Sequence, residues 1–371
     1  MPAPEKFIAD DLFRRCVLST GVDPERFATP EALWRDALQR GLRAPFFRLV
    51  RHGKTLPPAT RRAGVGHRSI DDVIQPNRVL ELHAAGATMV LQGLQFTDPR
   101  LARTANNLAL DLGHAVQVNA YLSPSAARGL ELHFDQHDVF VLQLSGRKRW
   151  RVWEPLERTR LPVRIGPPVP MPTFDELGSP AIDRTMEAGD CLYLPRGFPH
   201  AAETVDESSA HLTIGVIPLM WHQAVRHAVD EAVAAGALRA SIRVDDLAMP
   251  DLARVAGSLD TQVVHRWMAT EVWRKQPATR LRPLQPPALE LDTPVEVTPG
   301  PLLWLTGSEG RVELGLGDRT LTMPAEAYGL LADVLRSTGR FELGRLDAGL
   351  DDDSRLVVGR RLAAEGVIAP G

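Results

Sequence analysis

The spacing of apolar positions changes period several times along the chain and divides it into segments. Over residues 4–45, Phe7, Ile8, Leu12, Phe13 and Val17 recur at helical spacing, and Thr29-Pro30-Glu31-Ala32-Leu33 reads as a cap followed by a Pro-led helix start. Residues 46–51 read as a strand, and the Arg-, Pro- and Gly-rich stretch to about Ser69 as an exposed loop. Helical patterns over 70–85 and 98–113 flank the apolar strand 87–92. From Ala115 to Pro218 the pattern becomes short apolar runs between Gly, Pro and Ser, as in a double-sheet jelly roll. Inside it, residues 158–184 carry prolines at 162, 167, 168, 170, 172 and 180, which bar a helix or central strand through their length. A loop over one rim of the barrel is expected there. It serves either substrate contact or nothing beyond an insertion.

After Trp221 helical spacing returns over 222–240, 248–258 and 260–275, with Val225, Val229, Val233 and Leu238 on one face of the first. A Pro-rich stretch, 276–301, is expected to be a linker. Beyond it, 302–371 offers strands at 302–305, 311–314 and 320–321 and helices at 325–337 and 352–364. Four segments result: 1–221 with the β core, 222–275 helical, 276–301 linking, and 302–371.

The chemistry concentrates in residues 130–153 and 190–200. Leu132-His133-Phe134-Asp135 opens a run, Val139 to Leu144, that breaks at Ser145-Gly146 and resumes as Lys148-Arg149-Trp150-Arg151-Val152-Trp153. That pattern predicts a strand, a tight turn and a returning strand. In extended chain His133 and Asp135 share a face. If the sheet folds the Pro/Gly loop ending at His200 back over them, two histidines and one carboxylate surround one point. This donor set leaves three positions open on a metal, as in non-haem Fe(II) oxygenases. His137 continues the same alternation and is a fourth ligand unless the chain twists after Asp135. On the returning strand Lys148, Trp150 and Val152 share one face, opposite Arg147, Arg149, Arg151 and Trp153. Asn119 and Tyr121 form another same-face pair, and His211, Thr213 and Gly215 share a face further on.

Composition narrows the classes. With 43 basic and 46 acidic residues, a net charge of −3, 44% hydrophobic and 24% charged residues, the chain has a globular protein's make-up and no bulk charge for nucleic acid. Two distant cysteines, Cys16 and Cys191, give neither a zinc motif nor a disulfide framework. The N-terminal residues lack an apolar signal region, and no apolar run approaches the roughly 18 residues of a spanning helix. A cytoplasmic protein without membrane association is expected.

The segments His133–Phe140, Gly146–Trp153 and Leu194–His200, with Val118–Pro124 upstream, resemble the JmjC-type cupin oxygenases of the ribosomal-oxygenase group. The resemblance implies an α+β fold: a double-stranded β-helix core, a helical dimerisation region and a C-terminal winged-helix-like domain. It implies Fe(II) on His133, Asp135 and His200, with 2-oxoglutarate and O2 as co-substrates. Lys148, fifteen residues after His133, falls where the family anchors the far carboxylate of 2-oxoglutarate, and Asn119, Tyr121 and Thr213 are expected to complete the pocket. Gly215 falls where relatives often carry serine, and the family does not use the position of His137 as a ligand. The implied reaction couples decarboxylation of 2-oxoglutarate to hydroxylation of an arginyl or histidyl side chain in a ribosomal protein, by a homodimer. Two alternatives stay open: an oxygenase acting on a peptide or carrier-bound amino acid, and a non-catalytic cupin/winged-helix binding or regulatory protein. Eight Arg and no Lys against eleven acids from residue 301 onward make the tail a poor DNA binder.

Overall fold

At Gly146 the backbone takes a positive φ of 62°, and a Cβ there would stand 2.0 Å from the carbonyl oxygen of Ser208. The expected hairpin turn is therefore absent: the chain bends but does not reverse. Asp138–Val152 is one strand of 15 residues, paired antiparallel along its length with the 18-residue strand His200–Ile217. The extra residues of the partner are absorbed as register shifts between Val205 and His211, opposite Gly146. Such bulges increase local twist and curl a sheet toward closure.

The computed structural model describes residues 3–125, 127, 131–160, 169–236, 238–239, 261–277, 280–300, 303–308, 310–337, 339–346 and 348–371. Two units emerge, one of residues 1–102 and 116–217, the other of 103–115 and 218–371. In the first, strands β1 (Val17–Ser19), β2 (Phe47–Arg51), β3 (Lys54–Thr55), β4 (Thr60–Val65), β5 (Arg68–Ile74), β6 (Thr88–Leu91), β7 (Ala115–Ser123), β8 (Asp138–Val152), β9 (Ile182–Met186), β10 (Cys191–Leu194) and β11 (His200–Ile217) follow in order. Hydrogen bonding links nine of them as β1-β10-β8-β11-β7-β6-β2-β3, with β9 also on β8. Val139, Val141, Trp150, Val152, Met186, Leu192, Leu194 and Phe198 pack together inside this sheet. The helix Pro30–Gln39 starts as expected, with Thr29 Oγ1 accepting from the Ala32 amide at 3.3 Å and Leu33 and Ala37 buried.

Two stretches depart from expectation. The β4–β5 hairpin occupies the end of the loop to Ser69 and the first residues of the expected helix 70–85, which begins only at Pro76; its residues are mostly exposed on both faces and so lack an apolar period. The proline-rich 158–184 contains the capped turn of helix Phe174–Leu177 and the strand β9; the part at 161–168 lies outside the described residues.

The second unit carries helices Trp221–Ala234 and Thr261–Trp273. The expected helix 248–258 lies outside the described residues. Contrary to the valine face read from sequence, Ala224, Ala228 and Ala232 are the buried stripe of the first helix, while Val225 and Val233 are exposed. Small side chains let a neighbouring element approach closely, so the alanine face is the one that packs. Strands β12 (Pro294–Val297), β13 (Trp304–Ser308), β14 (Arg311–Gly315), β15 (Thr320–Pro324), β16 (Phe341–Glu342) and β17 (Ile368–Pro370) form two three-stranded sheets, β16-β12-β17 and β13-β14-β15. β12 and the buried Leu289 lie in the stretch expected as linker, so that segment is tied into the same core as helices Tyr328–Arg336 and Asp352–Ala364. No helix among the described residues is long and apolar enough to cross a membrane.

Candidate metal centre

His133 and His200 face one another across an isolated antiparallel bridge. The amide of Gly197 donates to the Asp135 carbonyl at 2.9 Å, and that of Trp153 to the Pro199 carbonyl at 2.9 Å, so the loop before His200 is stitched both to the ligand segment and to the end of β8. Gly197 does this at φ +85°, which a side chain would strain.

One ligand atom each from His133, Asp135 and His200 lies within 4.8 Å of the others, with His200 Nε2 3.9 Å from Asp135 Oδ2. Each imidazole is held through Nδ1 by the carbonyl two residues earlier, His133 by Glu131 at 2.7 Å and His200 by Phe198 at 3.0 Å. A carbonyl only accepts, so Nδ1 carries the proton and Nε2 presents its lone pair. Burial, with His133 alongside, pushes His200 down to about 4, which keeps it neutral. Two Nε2 atoms and a carboxylate on one side of a point fit a divalent transition metal and leave room for further ligands. His137 stands outside the cluster, because the chain turns after Asp135: its ring lies over Gly215, where an added Cβ would meet it at 2.7 Å.

The cavity beside this cluster is lined by the three residues together with Lys148, Trp150, Tyr121, His211, Thr213 and Thr88. Lys148, 3% exposed, donates to Ser123 Oγ at 3.3 Å, and burial pushes its ammonium down to about 8. Ser123 also accepts from Thr88 Oγ1 at 3.1 Å. Asp135 is the one acid among the described lining residues, and it belongs to the metal end. A buried lysine with only a neutral partner calls for an anion. The expected alternation holds here: Lys148, Trp150 and Val152 are buried, Arg147 and Arg149 exposed.

Tyr121 and Thr213 line the cavity as expected, with Tyr121 hydrogen-bonded to Arg48 and Thr213 and its phenol pushed up by burial. Asn119 does not. Its Oδ1 accepts from the Gly93 amide at 3.0 Å and from Gln117 Nε2 at 3.1 Å, fixing the turn after β6 instead of facing the cavity. Sequence reasoning missed Thr88, Ser123 and His211. For His211 the signal was present, since it alternates with Thr213 on β11.

The stretch 90–224 matches the family model described as JmjC domain, in agreement with the resemblance read from the motifs. Zebrafish (Danio rerio) ribosomal oxygenase 1 is 35% identical over 142 residues, 38% of this chain and 25% of that protein. The human ribosomal oxygenase 1 is 37% identical over 142 residues, 38% of this chain and 22% of its own length. The chain thus spans about a quarter of the length of these curated relatives. The crystal structure of the Escherichia coli ribosomal oxygenase YcfD shares the fold over 100% of this chain and 98% of that one, with a TM-score of 0.58 at 18% identity. A structure of YcfD in complex with cobalt and 2-oxoglutarate superposes with a TM-score of 0.57 at 18% identity, over 98% of this chain and 97% of that one.

Proposed function

We propose that this JmjC-domain chain is an Fe(II)- and 2-oxoglutarate-dependent oxygenase that hydroxylates an arginyl or histidyl side chain of a ribosomal protein. The observation that carries the reading is the pairing, in one cavity, of two histidines and a carboxylate within 4.8 Å with a buried lysine that has no acidic partner among the described residues. His133, Asp135 and His200 hold the metal, and Lys148 takes the far carboxylate of 2-oxoglutarate. Tyr121 and Thr213 shape the wall between them. Bound iron and 2-oxoglutarate supply the oxidising chemistry with O2, giving succinate and CO2 as co-products. The contribution of the chain is to fix the ligand geometry, neutralise the dicarboxylate and exclude water.

The relatives' names, ribosomal oxygenase among them, support a ribosomal protein as substrate. A second, more open cavity adjoins the first, the two sharing Ala202. Its lining includes Glu131, Glu203, Met171 and Phe174, while Arg151 lies over the rings of Trp153 and Phe174. We assign it to the substrate polypeptide, whose basic side chains suit the two glutamates. A homodimer is in keeping with the exposed Trp221, Val225 and Val233 of one helix, and a winged-helix-like role with the β13-β14-β15 sheet beside helix Tyr328–Arg336. The two unpaired cysteines suit the cytoplasm.

The test is succinate formation from 2-oxoglutarate by wild type and His200→Ala, followed by intact-mass analysis of ribosomal proteins from a deletion strain. Loss of one oxygen atom's mass from a single ribosomal protein is expected. Ribosomal proteins unchanged in mass would remove the proposed substrate.

A further inference from the structure

Among the described residues lining the cavity beside the metal cluster, His211 is the histidine that the cluster does not use. It is 3% exposed, and its Nδ1 is buried without a hydrogen-bond partner. Its ring lies flat on Tyr121, with centroids 4.7 Å apart and planes within 4°, and meets Trp150 edge-on at 5.8 Å and 88°. Two aromatic contacts at right angles fix the imidazole plane, so its nitrogens have a set direction. Lys148 is close enough that its charge works against protonation of His211, and burial works the same way more strongly; the ring is neutral. A neutral imidazole carries one N–H and one lone pair.

Other polar atoms at this end share the condition. Trp150 Nε1 and Thr204 Oγ1 are buried without partners, and Thr204 is the cross-strand partner of Lys148, on the same face. His211 and Trp150 line the cavity with Lys148, Thr204 stands opposite Lys148 on the neighbouring strand, and Ser123 and Thr88 are the neutral hydroxyls beside the lysine. Leaving a buried polar atom unpaired costs about 1–3 kcal/mol, so an unpartnered donor on the wall of this cavity favours a ligand that accepts from it. A lysine alone is a point charge; a carboxylate has two oxygens and several lone pairs.

We infer that His211 is a second arm of the anion anchor, its Nδ1–H donating to the carboxylate that Lys148 neutralises, with Tyr121 and Trp150 holding the ring in that direction. His211 is a binding and positioning residue for the co-substrate, not a ligand of the metal. The inference rests on the reading of the cavity as a 2-oxoglutarate site.

The test uses the full chain loaded with Mn(II), without oxygen, titrated calorimetrically with 2-oxoglutarate and with 2-oxovalerate, which has the same carbon chain and lacks the far carboxylate. His211→Phe preserves the stack and removes the donor. It is expected to weaken 2-oxoglutarate roughly ten- to a hundredfold and to leave 2-oxovalerate and Mn(II) affinity unchanged. His211→Asn, which keeps an N–H near the Nδ1 position, is expected to retain most of the affinity. An equal loss for both acids, or no loss for either, overturns the inference. In wild-type protein, independently of any variant, the 15N resonance of His211 Nδ1 should move with 2-oxoglutarate and not with 2-oxovalerate; a shift with both overturns it too. Wild type that binds neither acid ends the oxygenase reading and this one together, whereas normal wild-type binding with an unaffected His211→Phe ends this one alone.

Discussion

His133 and His200 exchange backbone hydrogen bonds, 3.1 Å in one direction and 2.8 Å in the other, which sets their rings 4.2 Å apart. Because the bridge is made by main chain, it survives replacement of either side chain. His133→Ala and His200→Ala are therefore expected to fold and to lose metal. Adding Mn(II) or Co(II) should raise the Tm of wild type and leave both variants unmoved; a metal-dependent rise in His200→Ala would place the ion elsewhere.

The same histidine makes the metal-free protein acid-sensitive. His200 titrates at about 4 when folded, against about 6.5 when unfolded. As pH falls below 6.5 the unfolded chain binds a proton that the folded chain refuses, so stability declines and the decline levels off below about 4. The loss is on the order of 3 kcal/mol. Urea titrations from pH 7 to 4 should show it, and His200→Gln should lack that component.

Lys148 gives the opposite limb of the pH profile. With its ammonium at about 8 in the ligand-free site, an arriving dicarboxylate finds a charged partner below that pH and must bring a proton above it. Affinity for 2-oxoglutarate should fall about tenfold per pH unit above 8. Lys148→Ala should lose about a hundredfold or more at pH 7, and Lys148→Arg should keep part of the affinity with a flat profile.

Gly215 and His137 occupy one another's space. A hydroxymethyl group in Gly215→Ser would stand within 2.7 Å of the His137 ring, the far end of a side chain that can rotate. A cost of about 1 kcal/mol is expected, removed in a His137→Ala background. A double-mutant cycle with no coupling would mean that the two residues do not touch.

Gly146 is stricter. The Cβ of Gly146→Ala would lie 2.0 Å from a backbone oxygen, at a positive φ that strains any side chain. Destabilisation of about 3 kcal/mol or more is expected, since the obstacle belongs to the paired strand and cannot rotate aside.

The clustering of His133, Asp135 and His200 was legible because strand alternation puts the first two on one face and a Pro/Gly loop marks the return to the third. The burial of Lys148 followed from the same alternation. The continuity of β8 was not, since Ser-Gly between apolar runs reads alike whether the chain reverses or kinks; only the bulge in a partner 60 residues away distinguishes them. Asn119 misled because a same-face position tells nothing of whether an amide turns to a cavity or to Gly93. The helix Trp221–Ala234 misled for a related reason: valines outweigh alanines in any apolar count, yet the alanines pack. β12 was hidden because its partners, β16 and β17, are remote in sequence.

One consequence follows from the long β8–β11 ladder. His200 pairs with Val152 and Thr204 with Lys148, so metal end and anion end stand four residues apart on the same two hydrogen-bonded strands. At about 3.4 Å per residue, the ladder fixes how far apart the two ends are set on the backbone. On the proposed reading, the preference for a five-carbon 2-oxo diacid over its four- and six-carbon analogues is set by strand register together with the reach of the Lys148 side chain.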